Sequence, residues 1–345
     1  MSGAISTDDR RSALDRVWRV FKIRFPLLAK TALANLRVTD GLGPPWRERY
    51  NAARRDLLRN DPALHPTRQW TVMTHLYYWM LRGFGVARFK STFARFLSAY
   101  EPENPLHFRA LHHLYAAKLR ERDAWNLLDT LEEPALGEGV PVLYNGRRLT
   151  LDLLQSVDEL YRMQEALGFA KEDPIVFCEL GAGYGRLAQV VLAAMPNAKY
   201  WIFDLPESLV LSQSYLTAVH PKAKAALYPE SAELLGKPGA LDDVRLFFGL
   251  PHLLRKLPPS SIDVFINIYS FMEMHRRQVE TYFDIITRLD PRLLFLKQHH
   301  REINFLDKTV HDAETYPVLP GWKQVYHGTS TLFDHVFEAS WRIRQ

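Results

Sequence analysis

Three glycines and two acids in the second half of the chain are spaced as a nucleoside-binding site requires. The segment Glu179-Leu-Gly181-Ala-Gly183-Tyr-Gly185 follows a short apolar run and precedes a helical pattern. Glycines at such a turn let the backbone adopt positive φ and approach a ligand, while the N–H groups of the new helix point toward it. Asp204 closes the next apolar run, where a carboxylate accepts hydrogen bonds from the vicinal hydroxyls of a ribose. This spacing predicts a nucleoside-containing cofactor at the switch point of a parallel sheet; a glycine-rich turn beside an unrelated surface aspartate is the alternative.

The spacing of the glycines distinguishes between two classes of cofactor. The dinucleotide fingerprint G-x-G-x-x-G would need a third glycine at position 186, where the chain has an arginine. Gly181, Gly183 and Gly185 instead follow an acid in the order acid-x-G-x-G-x-G, which resembles the first motif of class I S-adenosylmethionine-dependent methyltransferases. The resemblance implies a Rossmann-like α/β sheet, mostly parallel with an antiparallel edge strand, that binds S-adenosylmethionine.

The same resemblance assigns roles to individual residues. It implies that the glycines line the cofactor, that Glu179 orients the loop or the cofactor's ammonium group, and that Asp204 takes the ribose hydroxyls. The full set expected at the cofactor is Glu179, Gly181, Ala182, Gly183, Gly185, Asp204, Leu205 and Asn267.

A narrower likeness concerns the substrate that accepts the methyl group. The segments Phe203–Pro206, Asn267–Met274 and Leu151–Leu160 resemble a bacterial group to which sugar O-methylation has been ascribed. After the fourth strand the chain reads Asn267-Ile-Tyr-Ser270, without the Asn/Asp-Pro-Pro-aromatic sequence common among enzymes that methylate the exocyclic amines of bases. An oxygen acceptor on a sugar or a glycosylated small molecule is therefore expected, with an RNA or DNA methyltransferase and a non-catalytic interaction protein as the alternatives.

Methylation of a hydroxyl benefits from a general base, and the end of the fourth predicted strand offers candidates. His275 is the first choice, because imidazole titrates near neutral pH and its place resembles that of the base in many small-molecule O-methyltransferases. Glu273 is the second catalytic candidate, as a base, a metal ligand or an acid at the start of the following helix. Ser270 lies in the same segment.

The end of the fifth predicted strand offers further candidates. His299 and His300 are adjacent, and neighbouring residues of an extended segment point to opposite faces, so at most one reaches the site. With Asp307 and His311 they suggest a metal site, but the spacing matches no strong signature and no metal is predicted. Lys297 is expected either to meet an anionic acceptor or to extend its ammonium group into solvent.

The elements that must position these residues differ between the two halves. Apolar residues at three- and four-residue spacing predict helices over 8–38, 68–82, 86–100, 105–131 and 149–167. After residue 174 short apolar runs alternate with helical patterns, which indicates βαβ units, and the runs 322–327 and 335–343 predict a final hairpin at the sheet edge. Cys178, within the first strand, is expected in the core.

Two domains follow from this change of pattern. Residues 1–149 are expected to form a helical region that covers the acceptor pocket, contributes to a homodimer, or both, and residues 150–345 to form the methyltransferase domain. The first 150 residues carry 24 Lys and Arg against 15 Asp and Glu, and the remainder 20 against 24. This asymmetry is compatible with a nucleic-acid or membrane partner, but isolated basic residues along helices favour a solvated face.

Composition excludes several classes of protein. With 47% hydrophobic and 24% charged residues, the 345-residue chain is neither disordered nor a collagen-like repeat. Its single cysteine forms no intrachain disulfide, no apolar run is long enough to span a bilayer, and the first residues do not resemble a secretion signal. A cytoplasmic protein is expected.

Overall fold

The computed structural model describes residues 43–96, 105–304 and 306–344. The helix predicted over residues 8–38 lies outside these described residues. Within the described ranges, no helix combines the length and the hydropathy of a bilayer-spanning segment.

Helices dominate the described chain up to residue 130. They are α1 (Gly43–Arg59), α2 (Arg68–Phe96), α3 (Pro105–Arg120) and the single-turn α4 (Leu127–Thr130). The break predicted between 82 and 86 occurs at Gly85, whose φ of 59° and ψ of −169° interrupt α2. The helix predicted over 105–131 ends earlier, at Arg120, and the Asp123 carboxylate caps α4 by accepting hydrogen bonds from two of its backbone N–H groups.

A short hairpin follows the helices. It consists of β1 (Val142–Tyr144) and β2 (Arg147–Leu149), paired antiparallel. Asn145 and Gly146 connect the strands with φ of 49° and 79°, as expected for a tight hairpin turn built on Asn-Gly. The hairpin was not predicted, so the described residues before 150 are predominantly helical rather than entirely so.

The remainder of the chain alternates between strands and helices, as predicted. The helices are α5 (Leu151–Leu167), α6 (Arg186–Ala194), α7 (Pro206–Val219) and α8 (Arg276–Leu289). The strands are β3 (Val176–Leu180), β4 (Lys199–Phe203), β5 (Ala225–Ala226), β6 (Leu246–Gly249), β7 (Val264–Ile268), β8 (Leu293–His299), β9 (Arg301–Asn304), β10 (Thr309–Asp312), β11 (Lys323–Thr329) and β12 (Val336–Arg342).

Eight of these strands form one twisted sheet in the order β11-β12-β8-β7-β3-β4-β6-β5. All neighbours pair in parallel except β12 with β8 and β11 with β12. The predicted hairpin at the edge is therefore confirmed, as is the mostly parallel Rossmann-like sheet. The antiparallel pair β9 and β10, directly after β8, was not predicted.

The strand order places the switch point at β3. From β3 the chain moves to β4 on one side and returns later to β7 on the other, so a crevice opens at the carboxyl ends of these strands. The central strands are buried almost throughout, since helices cover both faces of a parallel sheet. Cys178 is completely buried within β3, as expected of a core residue.

Candidate active site

A cavity of about 570 Å³ lies at the carboxyl ends of β3, β4 and β7. The glycine loop between β3 and α6 forms part of the wall, and the first half of α2 forms another part with Trp70, Met73 and Tyr77. The sheet and the helical region therefore both contribute to the cavity.

All three glycines of the loop have positive φ angles, but their surroundings differ. Gly181 has φ of 80°, and a Cβ there would lie 2.5 Å from Ser270 Cβ. Gly185 has φ of 85°, and a Cβ there would lie 2.6 Å from a methyl group of Leu216. Gly183 has φ of 61°, yet a Cβ would meet no atom within 4 Å. The outer glycines are thus required by close packing, whereas Gly183 leaves open space beside its backbone.

Asp204 is held directly against this loop. One carboxylate oxygen accepts a hydrogen bond from Gly183 N at 2.8 Å, and the other accepts one from Leu205 N at 2.7 Å. Burial raises the pKa of Asp204 to about 7, although the two backbone N–H donors act to lower it. Each carboxylate oxygen can accept more than one hydrogen bond, so the side chain retains acceptor capacity for a ligand in the cavity.

The other residues expected at the cofactor divide into two groups. Glu179, Ala182 and Leu205 line the cavity, as do Gly181 and Gly183, whereas Gly185 does not. Glu179 accepts a 2.6 Å hydrogen bond from the Tyr200 hydroxyl, and burial raises its pKa to about 7.

Asn267 does not line the cavity, contrary to expectation. Its side chain is completely buried, donates to Leu180 O at 2.9 Å, and accepts from Phe271 N at 2.9 Å and from the Gln298 amide at 2.7 Å. These bonds connect β3, β7 and β8 at their carboxyl ends. Asn267 is therefore a structural residue, because its hydrogen-bonding groups are directed to the protein.

Glu273 lines the cavity beside Trp70 of α2. Its carboxylate accepts a hydrogen bond from the Trp70 indole at 2.7 Å, which links the end of β7 to α2. Burial raises its pKa to about 8, with smaller contributions from Glu302 and Asp204 and an opposing one from the Trp70 hydrogen bond. A carboxyl group in this state carries a proton near neutral pH and can donate a hydrogen bond.

His275 does not line the cavity, and its prediction as the base does not fit its position. It is the N-cap residue of α8, and its half-exposed imidazole lies 3.4 Å from a carboxylate oxygen of Asp307. The turn Phe271–Glu273 follows β7 and places Glu273 in the cavity wall. His275, two residues later, lies outside that wall.

One of the two adjacent histidines at the end of β8 does line the cavity. His299 contributes to the wall, and its Nδ1 lies 2.6 Å from a carboxylate oxygen of Glu302. His300 packs its ring against Phe337, with centroids 5.8 Å apart, and is not part of the wall. The expectation that at most one of the pair reaches the site agrees with this geometry.

Two residues considered at the sequence level have other partners. Asp307 accepts hydrogen bonds from the backbone N–H groups of Arg68 and Gln69, and His311 donates one to Met274 O. Among the residues that the structure describes, no three His, Cys, Asp or Glu side chains are arranged to hold a metal ion.

Lys297 neither meets the cavity nor extends into solvent. Its ammonium group is completely buried, 2.9 Å from Glu159 and 3.0 Å from Glu338. Burial acts to lower the pKa of Lys297, but the two carboxylates outweigh burial and raise it. Glu159 also accepts two hydrogen bonds from Arg186, the first residue of α6. This network connects α5, α6 and the sheet below the glycine loop.

The sequence did not single out the residues that the helical region adds to the cavity. Trp70 and Tyr77 line the cavity and lie seven residues apart on α2, a spacing at which aromatic residues more often belong to a core than to a ligand site. Asp152, in the first turn of α5, lines the cavity and accepts a 2.6 Å hydrogen bond from the Tyr184 hydroxyl of the glycine loop. No spacing pattern distinguishes these residues from ordinary helical ones.

Charge along the cavity wall is predominantly negative. Within the described chain the lysine and arginine residues in the wall are Lys90 and Arg186. Lys90 contacts Glu133 and Arg186 contacts Glu159, so each cation already has a carboxylate partner. Little positive charge remains for an anionic ligand.

Similarity to known proteins is found among solved structures, at low sequence identity. No protein-family model matches the chain, and no curated protein matches it. Among solved structures, a SAM-dependent methyltransferase from Aquifex aeolicus is 12% identical, over 56% of this chain and 94% of that one, with a TM-score of 0.39. The mitomycin 7-O-methyltransferase MmcR is 14% identical, over 56% of this chain and 54% of that one, with a TM-score of 0.36. The small RNA methyltransferase HEN1 is 11% identical, over 55% of this chain and 25% of that one, with a TM-score of 0.38.

At these identities and TM-scores the likeness identifies neither a reaction nor a substrate. The chain spans about half of MmcR and a quarter of HEN1. The strand order and the crevice at the switch point define the class of protein, a Rossmann-like α/β fold. Its helical region contributes to the cavity at the carboxyl edge of the sheet.

Proposed function

We propose that this protein transfers a methyl group from S-adenosylmethionine to a hydroxyl oxygen of a sugar or a glycosylated small molecule. The observation that carries the proposal is the Asp204 carboxylate, held 2.8 Å from Gly183 N in the wall of a switch-point cavity. A carboxylate at this place in the fold suits the vicinal hydroxyls of a ribose.

The residues present fit the nucleoside cofactor. Gly183 borders open space at positive φ, so the backbone allows close approach of a ligand. Asp204 would hold the ribose, and Glu179 would face the amino-acid end beside the loop. When bound, S-adenosylmethionine supplies a methyl group already activated by a sulfonium. The protein must then align the acceptor oxygen with that methyl group and exclude water.

The wall around Trp70 and Glu273 supports a polyhydroxylated acceptor. Glu273 offers a carboxyl group and Trp70 an indole within one hydrogen-bonded pair, and Tyr77 adds a second ring whose centroid lies 5.8 Å from that of Trp70. Carboxyl groups bond sugar hydroxyls, and aromatic faces pack against the apolar faces of sugar rings. The division into a helical region (1–149) that covers the acceptor and a catalytic region (150–345) belongs to the same proposal.

The nucleic-acid alternative receives little support from the cavity. A phosphate backbone needs cationic side chains to replace its counterions. Lys90 and Arg186 are already paired with buried carboxylates. If nucleic acid were the substrate, binding to RNA or DNA would weaken steeply with salt; no detectable binding, or binding insensitive to salt, is expected instead.

Calorimetric titration with S-adenosylmethionine and with its demethylated product, S-adenosylhomocysteine, tests the cofactor. Both are expected to bind with one site per chain. A folded sample that binds neither would exclude the proposal. A screen of glycosides with mass detection of one added CH₂ group then tests the acceptor, and binding without turnover across neutral sugars would favour the non-catalytic alternative.

A further inference from the structure

We infer that His299, held by Glu302, is the group that accepts the proton of the acceptor hydroxyl. The inference rests on the proposed function, and it places the base at the end of β8 rather than at the end of β7. It begins from the cavity, in which His299 forms part of the wall while His275 and His300 do not.

Glu302 determines which ring nitrogen can act as a base. Nδ1 of His299 lies 2.6 Å from a carboxylate oxygen of Glu302, three residues further along the chain. A carboxylate only accepts hydrogen bonds, so Nδ1 carries the hydrogen and the lone pair lies on Nε2, at the opposite side of the ring. Within the residues that the structure describes, Nε2 of His299 has no hydrogen-bond partner.

Two rings fix the orientation of the imidazole. Tyr269 lies on one side, with ring centroids 5.7 Å apart and planes at 66°, and His335 lies 5.0 Å away with planes at 69°. Both arrangements are edge-to-face, a preferred geometry for aromatic neighbours. The ring is therefore oriented by packing and by a carboxylate together, which is the usual arrangement for a histidine base.

Glu273 and His299 have complementary roles in this site. Glu273 carries a proton near neutral pH, because burial raises its pKa to about 8, so it can donate a hydrogen bond to the acceptor. His335 also lines the cavity, but its imidazole is half-exposed and lies 3.4 Å from the exposed Asp334. Among the described residues, the titratable side chains with a contact to the His299 ring are Glu302, His335 and Tyr269, and the hydrogen bond is the one to Glu302.

The proton transfer and the methyl transfer balance in charge. The acceptor hydroxyl loses its proton to Nε2 while its oxygen forms a bond to the methyl carbon. The electron pair of the broken carbon–sulfur bond stays on sulfur, which changes from a sulfonium cation to a neutral thioether. The positive charge lost at sulfur appears on the imidazolium, where Glu302 stabilises it, and solvent then removes the proton.

Two adjacent histidines provide a matched pair of variants. His299→Asn is expected to lower turnover of an accepted glycoside by about 10²–10⁴-fold, the usual contribution of a general base. Affinity for S-adenosylhomocysteine should stay within about twofold, since the cofactor contacts lie at the glycine loop. His300→Asn and His275→Asn should leave both quantities unchanged. Turnover by His299→Asn close to wild type would overturn the inference while leaving the proposed function intact.

A second readout does not depend on turnover. Nitrogen NMR of the histidine rings, assigned by loss of the signal in His299→Asn, reports which nitrogen carries the hydrogen. The Nδ1–H tautomer is expected for His299, and Glu302→Gln should convert it to a mixture, because an amide can either accept from or donate to Nδ1. An Nε2–H tautomer in the native protein would overturn the inference even if no acceptor is found. Failure of both cofactor titrations would instead count against the proposed function.

Discussion

The two ends of the cavity are built in different ways. At the glycine loop, backbone groups and one carboxylate from consecutive βα units form the wall, with Gly183 N bonded to Asp204 at 2.8 Å. At the other end, side chains from distant parts of the chain meet, as when Trp70 donates to Glu273 across 203 residues. The first end is built from residues close together in sequence, whereas the second is assembled by tertiary contacts and, under the proposed function, would determine which acceptor binds.

Under the proposed function, this contrast assigns cofactor binding to the first end and acceptor specificity to the second. Backbone geometry at a strand–helix turn depends on glycine positions, so it tolerates little change. A wall made of side chains from α2, β7 and β8 can change residue by residue without disturbing the sheet. The predictions below test whether the two ends are as independent as this construction implies.

The largest effect is expected at Gly181. In Gly181→Ala the new methyl group would collide with Ser270 and the residue would keep an unfavourable positive φ. The free energy of unfolding should fall by about 2–4 kcal/mol, and cofactor affinity should fall at least about 100-fold. Gly183→Ala is the matched control, since it has the same backbone cost without the collision; its unfolding should change by only about 1–2 kcal/mol. Equal destabilisation of the two variants in thermal unfolding would show that the close packing of Gly181 is unimportant.

A smaller effect is expected at Asp204. Asp204→Ala removes the acceptor of the Gly183 and Leu205 N–H groups and leaves the ribose hydroxyls unmatched. Affinity for S-adenosylhomocysteine should weaken by roughly 1–3 kcal/mol in calorimetry. Acceptor-end contacts such as Trp70 with Glu273 should persist, which can be checked by the unchanged fluorescence of Trp70 relative to a Trp70→Phe reference. Unaltered cofactor affinity would mean that Asp204 only shapes the loop.

The pH dependence follows from the raised pKa of the same carboxyl. Because Asp204 has a pKa of about 7 in the folded protein, it must lose a proton to accept ribose hydroxyls fully. Cofactor affinity should therefore fall as pH drops below about 7, approaching tenfold per pH unit from this group. Asp204→Asn should remove the contribution of Asp204 and leave that of Glu179, whose pKa is also about 7. Calorimetry at several pH values measures it.

Stability of the cofactor-free protein should show the opposite trend. Asp204, Glu179 and Glu273 hold protons in the folded state at pH values where the unfolded chain has lost them. Unfolding then releases protons, so these groups make the free energy of unfolding fall as pH rises from about 4 to about 8. Denaturant titrations across this interval check the sign, and a rise in stability attributable to these three residues would contradict the raised pKa values.

The smallest effect is expected from the acceptor wall. Trp70→Phe removes the indole donor to Glu273 while preserving most of the aromatic surface. Loss of this bond should cost about 1 kcal/mol in acceptor recognition and raise the pKa of Glu273 further, because the indole acts to lower it. Affinity for S-adenosylhomocysteine should not change. A matching loss of cofactor affinity in calorimetry would show that the two ends are coupled.

Much of the cofactor end could be predicted from sequence because its information is local. The acid-x-G-x-G-x-G segment and Asp204 lie at the ends of consecutive strands, and parallel strands bring such ends to one edge. The hairpin at 142–149 was missed although Asn145-Gly146 is a recognisable turn signal, because helical spacing dominates the surrounding residues. Asn267 occupies the predicted strand end, but its amide bonds three strands together rather than a ligand.

Along the chain, residue types and periodicity determined the alternation of strands and helices, the glycine turn and the acid that faces it, since each depends on neighbours within a few positions. Only the tertiary structure decided that Glu273 and His299 face the cavity while His275 turns away, and that Trp70 and Tyr77 form a wall rather than a core. These outcomes depend on the direction of single side chains after a turn and on packing between segments more than 200 residues apart. No local pattern encodes such directions, because they depend on contacts between the helical region and the sheet.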